Sequence, residues 1–492
     1  MHPFKKFVLS MAFVGLVAGV GACGDDDDPV TDPPPDDAPT IAMTAPAGGA
    51  AVMPGSAVTI SWTATDDNAV TGVDLSYTAD GVAETAIASD VAGASYDWTT
   101  PAGPLYGVVV KGVAKDASNQ TAEDETTDIF AVVEFSAAGY VQGVTCGDCH
   151  PSYYTEVYEM SGHPYKLNKV DGAAPSYPNG PGVPNPPAGY TWDDVTYVIG
   201  GYGWKARYIG TDGYIITPAA GLNQWNLLWS IWTDYHPGEV RPYNCGSCHT
   251  TGWVDSDDGD ATNNQDGLEG LVGTFEEQGI GCEQCHGAGA MHVSTQSASD
   301  ISIDSSDDLC GTCHQRGGAN ANIPASGGAY IQHHEQYNEF ANSAHFGVVG
   351  CNDCHDPHLG TRYDMGGYVE DCTSCHAEQT ANNAHVPVFG SGDAGCITCH
   401  LSQATKSAVA DQTNLLYVGD VQTHIFTINP DPVGKDYFFS ADGLSVATAD
   451  EGVTLDFACY QCHKDDLGEG GPNSMKSLAE LSAKATGIHA AP

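Results

Sequence analysis

Between residues 41 and 133 the sequence has neither a cysteine nor a histidine, which excludes haem chemistry from that stretch. After residue 22 it has no apolar run long enough to span a bilayer, so nothing beyond that point reads as embedded in a membrane. Basic residues are scarce. Sixteen Lys and Arg against 63 Asp and Glu give a formal net charge of −47, a surface that repels nucleic acid and anionic lipid headgroups and excludes a polybasic membrane contact. The eight methionines form no pattern.

What the chain has instead is one five-residue unit, repeated. Cys146–His150, Cys245–His249, Cys282–His286, Cys310–His314, Cys351–His355, Cys372–His376, Cys396–His400 and Cys459–His463 all read C-x-x-C-H. Their second cysteines are Cys149, Cys248, Cys285, Cys313, Cys354, Cys375, Cys399 and Cys462. Zinc sites and disulfide frameworks use other spacings or leave unmatched thiols. Here every cysteine after Cys23 belongs to a unit. C-x-x-C-H is the attachment signature of c-type haem: two thiols add to the vinyl groups, and the histidine becomes the proximal iron ligand. Eight covalently attached haems are the expectation.

The remaining cysteine has its own context. Lys5 and Lys6 precede an apolar stretch from Phe7 to Val20, and Val20-Gly-Ala-Cys23 matches a bacterial lipobox. Residues 1–22 are therefore expected to be a signal peptide, with Cys23 lipidated, the protein exported and anchored through lipid, and the outer membrane its place. An ordinary signal peptide with an incidental cysteine is the plainer alternative. Residues 23–40 are rich in Asp and Pro and cannot bury apolar surface. Extended at about 3.1 Å per residue, they form a tether of roughly 50 Å.

Residues 41–133 alternate as strands do, in Val58-Thr-Ile-Ser-Trp-Thr-Ala, Val73-Asp-Leu-Ser-Tyr-Thr and Gly107-Val-Val-Val-Lys-Gly-Val-Ala. They predict an all-β sandwich resembling a bacterial immunoglobulin-like or fibronectin-like repeat, with Trp62 and Trp98 as core anchors and a spacer's role. Residues 134–492 are expected to be a mainly α and irregular multihaem domain. With eight haems for so little chain, the porphyrins supply much of its core. The aromatic stretch around Trp192, Tyr202, Trp204, Trp225 and Trp232 predicts a β-rich insertion over a haem face. Its Lys205 and Arg207 pair with haem propionates or, alternatively, contact an anionic substrate.

The second axial ligand decides what such haems do. Setting aside His2 and the eight proximal histidines leaves ten, close to the number that bis-histidine ligation requires. His163, His292, His345, His358, His385 and His424 are candidate ligands, with His333 and His334 adjacent and expected to supply one between them. His163 and His345 end a repeated aromatic-x-x-Ser-small-His motif, expected on a helix. His236, which precedes a proline, and His489, near the C-terminus, stand outside the set. Asp255-Ser-Asp-Asp-Gly-Asp260 offers oxygens to Ca²⁺ but departs from EF-hand spacing; an acidic loop without an ion is the competing reading.

The Ser-x-His repeats, Gly281-Cys-Glu-Gln-Cys-His-Gly-Ala-Gly-Ala-Met-His292 and the Val198-Ile-Gly-Gly insert together resemble the cytochrome c-554, hydroxylamine oxidoreductase and pentahaem nitrite reductase superfamily, over roughly residues 140–400. That resemblance implies distal-ligand roles for His163, His292, His345 and His358. No C-x-x-C-K unit is present, so the lysine-ligated catalytic haem of the nitrite reductases has no counterpart. The expectation is an electron carrier, not an enzyme. Its partners are other redox proteins, either cytochromes or quinol-linked donors, or extracellular metal oxides. A reductase or oxidase of a small nitrogen or sulfur compound and a subunit of a cytochrome filament are the alternatives.

Overall fold

The computed structural model describes residues 36–49, 51–127, 129–256, 263–316, 322–326, 330–363, 366–377, 393–411, 417–463, 476–485 and 488–489. Its N-terminal part is a β-sandwich. Strands β1 (Thr40–Ala45), β3 (Ala57–Thr65) and β6 (Ser95–Thr99) form one antiparallel sheet in the order β1-β3-β6. The other sheet runs β2 (Ala51–Val52), β9 (Phe130–Val132), β7 (Leu105–Asp116), β4 (Val70–Ala79), β5 (Val82–Val91), with β8 (Thr121–Glu125) also paired to β7.

The period-two pattern decides which side chains meet. In β3, Val58, Ile60 and Trp62 point inward and their neighbours outward. They pack on Val73, Leu75, Val108, Val110 and Phe130 from the facing sheet. Tyr77 and Trp98 lie 5.0 Å apart between ring centroids, and Phe130 meets Trp98 edge-on. Asp116, also buried, accepts the backbone N–H groups of Ser118 and Gln120 and closes the β7–β8 turn, where Asn119 takes the left-handed conformation.

The chain then changes character. Residues 167–242 hold an antiparallel sheet in the order β10 (Leu167–Lys169), β11 (Val195–Gly200), β12 (Lys205–Gly210), β13 (Tyr214–Ile215), β16 (Arg241–Pro242). Strands β14 (Gln224–Asn226) and β15 (Ile231–Thr233) extend it from β12. One face buries Leu167, Tyr197, Ile199 and Ile209; the other buries Val198, Ala206 and Tyr208, with Trp192, Trp225 and Trp232 packed on it. This is the β-rich insertion its aromatic content predicts. A further core gathers Ile323, Tyr330, Ile331, Ile425, Phe438, Phe439 and Phe457.

Between Phe340 and Leu401 no described hydrophobic side chain is buried. Phe346, Val348, Tyr368 and Val369 are exposed there instead. The helices in this stretch are short, Cys351–Cys354, Cys372–Cys375 and Asp393–His400. Three of the C-x-x-C-H units lie in it. Among the described residues no helix is long and apolar enough to cross a membrane.

Candidate haem centres

A single helical turn explains the unit's spacing. Residues three and four apart share a helix face, so both thiols and the imidazole emerge together. The backbone N–H of the histidine closes that turn on the carbonyl of the first cysteine in His150, His314, His355, His376 and His463, at 2.9–3.0 Å. Gly281 and Gly350, in extended backbone, precede the turns that begin at Cys282 and Cys351.

The fold then places a second imidazole opposite most of these. Ring centroids are 6.4 Å apart for His150 and His292, 6.3 Å for His249 and His334, and 6.2 Å for His286 and His358. They are 6.2 Å apart for His355 and His424, 5.9 Å for His376 and His345, and 5.8 Å for His400 and His489. Two imidazoles on opposite sides of one metal, each bonded through nitrogen at about 2.0–2.1 Å, hold their centroids roughly 6 Å apart.

The other ring nitrogen is tied down in many of them. Nδ1 of His249, His286, His355 and His400 lies 3.2, 2.8, 3.4 and 2.7 Å from the carbonyl oxygens of Lys166, Ser302, Gly367 and Phe426. Nδ1 of His292 lies 2.9 Å from the Ser297 carbonyl, and that of His358 lies 3.1 Å from Asp356 Oδ1. Such a contact fixes the tautomer and aims Nε2 outward, as metal-bound histidines require. Desolvation, aided by the Lys166 charge, pushes His163 and His249 down to about 3 and His314 to about 4; His424 falls to about 3 by burial first. Neutral imidazole is the ligating form. His314 also contributes to the depression of His163, so these two rings lie near one another.

His163 and His345 share a local device. In each the backbone N–H donates to the serine hydroxyl two residues earlier, 3.3 Å from Ser161 and 3.3 Å from Ser343. The repeated motif was expected on a helix; both histidines instead follow the helical turns Tyr158–Met160 and Gln336–Ala341, because the serine turn ends them.

Other sequence candidates fall elsewhere. His333 lies 3.0 Å from Lys205 Nζ, and its neighbour His334 is the one that faces a proximal ring. His236 sits in a turn, 3.0 Å from Glu239. His489, left out of the ligand set, faces His400; the surplus of histidines over haems was the only signal for it. Cys23, His385 and residues 257–260 of the acidic loop lie outside the described residues.

The residues present fit haem on two counts. Exposed apolar side chains around the fifth and sixth units offer a porphyrin its lining. Lys166 and Lys205, set among His163, His249 and His333, have no carboxylate within salt-bridge distance among the described residues, although acids outnumber bases about fourfold in the chain. Haem propionates are the anions such cations suit. Lys205 donates to the Ser407 carbonyl at 2.9 Å, and Arg207 stacks 3.5 Å over the Tyr235 ring.

Residues 39–129 match the Bacterial Ig domain family, and residues 367–405 match the doubled CXXCH motif family. The chain is a multihaem c-type cytochrome. Over 139 residues it is 29% identical to the C-type polyheme cytochrome OmcB of Geobacter sulfurreducens, in each of two strains, a match covering 27% of this chain and 17% of that protein. The cytochrome thus spans about a sixth of the length of these curated relatives. Among solved structures, the Outer Cell Wall Cytochrome OcwA aligns with a TM-score of 0.41 and 16% identity, covering 72% of this chain and 92% of that one. An undecaheme cytochrome from the S-layer of Carboxydothermus ferrireducens aligns with a TM-score of 0.32 and 15% identity, over 69% and 52% of the two chains.

Proposed function

We propose that this cytochrome is an exported electron conduit carrying eight bis-histidine haems and held to the outer membrane through lipid on Cys23. The observation that carries the reading is the set of six imidazole pairs at 5.8–6.4 Å. In each, one ring belongs to a C-x-x-C-H turn and the other to a distant segment. His163 serves as partner to His314, and His385 is a further candidate ligand from the sequence. Imidazoles from two segments would hold each haem between them, which would leave no place at the iron for a substrate and would suit electron exchange. Haem iron, once held, supplies the ferric–ferrous couple.

The residues around the iron positions do the rest. Carbonyls at Nδ1 orient the imidazoles and raise their basicity, which favours the ferric state. Lys166, Lys205 and Arg207 compensate propionate charge. The acidic exterior suits basic redox proteins or cationic metal species.

Electron paramagnetic resonance of the oxidised, detergent-extracted protein tests this. Facing rings are nearly parallel in three pairs, at 11°, 7° and 22°, and steeply crossed in two, at 75° and 89°. Parallel axial planes give rhombic low-spin signals and crossed planes give signals with a large maximal g-value. Both classes are expected with little high-spin iron, and haem assay is expected to return eight per chain. A substantial high-spin signal that shifts with nitrite or hydroxylamine sinks the conduit and favours the reductase or oxidase reading.

A further inference from the structure

The immunoglobulin-like domain was expected to be a spacer, yet its contacts lie on one haem centre. The Ala290–Thr295 helix, which carries His292, is pressed against it. Ala290 and Val293 join a cluster with Ala51, Tyr106, Ala131 and Val133 of the sandwich and its exit, of which Ala131 and Val133 are fully buried. At about 100° per residue, His292 stands roughly 200° around that helix from Ala290. One side of the helix is thus held by the sandwich while another presents an imidazole to His150.

Two polar contacts extend the grip to both halves of the centre. The Tyr106 hydroxyl donates to Asp148 Oδ2 at 2.6 Å, and Asp148 is the residue between Gly147 and Cys149 of the first C-x-x-C-H turn. Gln296, which ends the His292 helix, donates through Nε2 to Asp80 Oδ2 at 2.8 Å. Asp80 and Tyr106 are themselves joined, since the Asp80 N–H donates to the Tyr106 carbonyl at 2.8 Å. A single edge of the sandwich therefore touches the proximal turn and the distal helix together. A module that merely sets distance needs neither contact.

We propose that the immunoglobulin-like domain is a working part of the first haem centre, with Tyr106 and Asp80 as positioning residues that fix His150 and His292 relative to one another. The proposal rests on the bis-histidine reading of that centre. Its consequence is that the potential and axial geometry of one haem in eight depend on a domain that holds no haem.

The experiment uses the full-length, haem-loaded protein. His292→Met identifies the first centre, as the one-eighth of the low-spin signal, in the class given by parallel rings, that it removes or moves. Tyr106→Phe combined with Asp80→Ala is then expected to shift the g-values and midpoint potential of that same component, leaving the other seven-eighths unchanged and eight haems per chain by mass. Lys111→Ala, which breaks the Lys111–Glu123 ion pair on β7–β8 away from this edge, is expected to leave all components unchanged. An unaltered first-centre component in the double variant overturns the proposal, as does an equal shift with Lys111→Ala. If His292→Met moves no low-spin component, the bis-histidine reading of this centre fails, and the proposal with it.

Discussion

The sandwich of residues 40–132 and the stretch from Ser343 to His400 are built on opposite terms. The first buries Ile60, Trp62, Leu75, Val110 and Phe130 against one another and is complete with its own side chains. The second buries no described hydrophobic residue and exposes Phe346, Val348 and Tyr368. A chain cannot offset its conformational entropy without burying apolar surface. The contrast therefore teaches that one region is folded by its sequence, and the other by its sequence together with the flat hydrophobic cofactors that its three C-x-x-C-H units would attach.

The most direct way to break that comparison is to withhold haem. Expressed without a maturation system, the stretch from Ser343 to His400 is expected to lose most of its amide-exchange protection, while the sandwich keeps its own; equal loss in both regions removes the distinction. A smaller effect comes from within the sandwich. Trp62→Ala deletes a fully enclosed side chain and is expected to cost about 3–5 kcal/mol, read as faster exchange in β3 and β6, with the haem content unchanged.

The smallest effect is electrostatic. Glu277 accepts the Gly143 N–H at 3.1 Å beside the first centre, and burial pushes its carboxyl above the usual 4.5. The folded state then holds a proton that the unfolded chain has released. Its contribution is therefore present at and below about pH 4.5 and is lost as pH rises through the raised value. Glu277→Gln is expected to flatten that part of the stability–pH curve. An unchanged slope refutes the assignment.

Legibility in the sequence follows the range of the interaction. The strands were legible because Val58, Ile60 and Trp62 alternate within one element, and the C-x-x-C-H turns because a helical turn needs only five residues. The serine turns that hold His163 and His345 were legible through a serine two residues away. The choice of His334 over His333 was not, since it depends on Lys205 from a sheet far back in the chain. His489 was missed for the same reason: its partner His400 is brought to it by long-range packing, which leaves no local pattern. The docking of the sandwich on the His292 helix had no signal either, because Ala131, Val133 and Val293 read as ordinary apolar residues.

The facing imidazoles come from remote parts of the chain, His150 with His292 and His400 with His489. Such interlacing restricts how a gene of this kind can grow or shrink. Trimming an end would strand a ligand in the middle, and duplicating one segment would bring in half of several pairs. Change is easiest within a loop between neighbouring units, where added chain leaves every ligand in place, and the sheet between the first and second units occupies such a position.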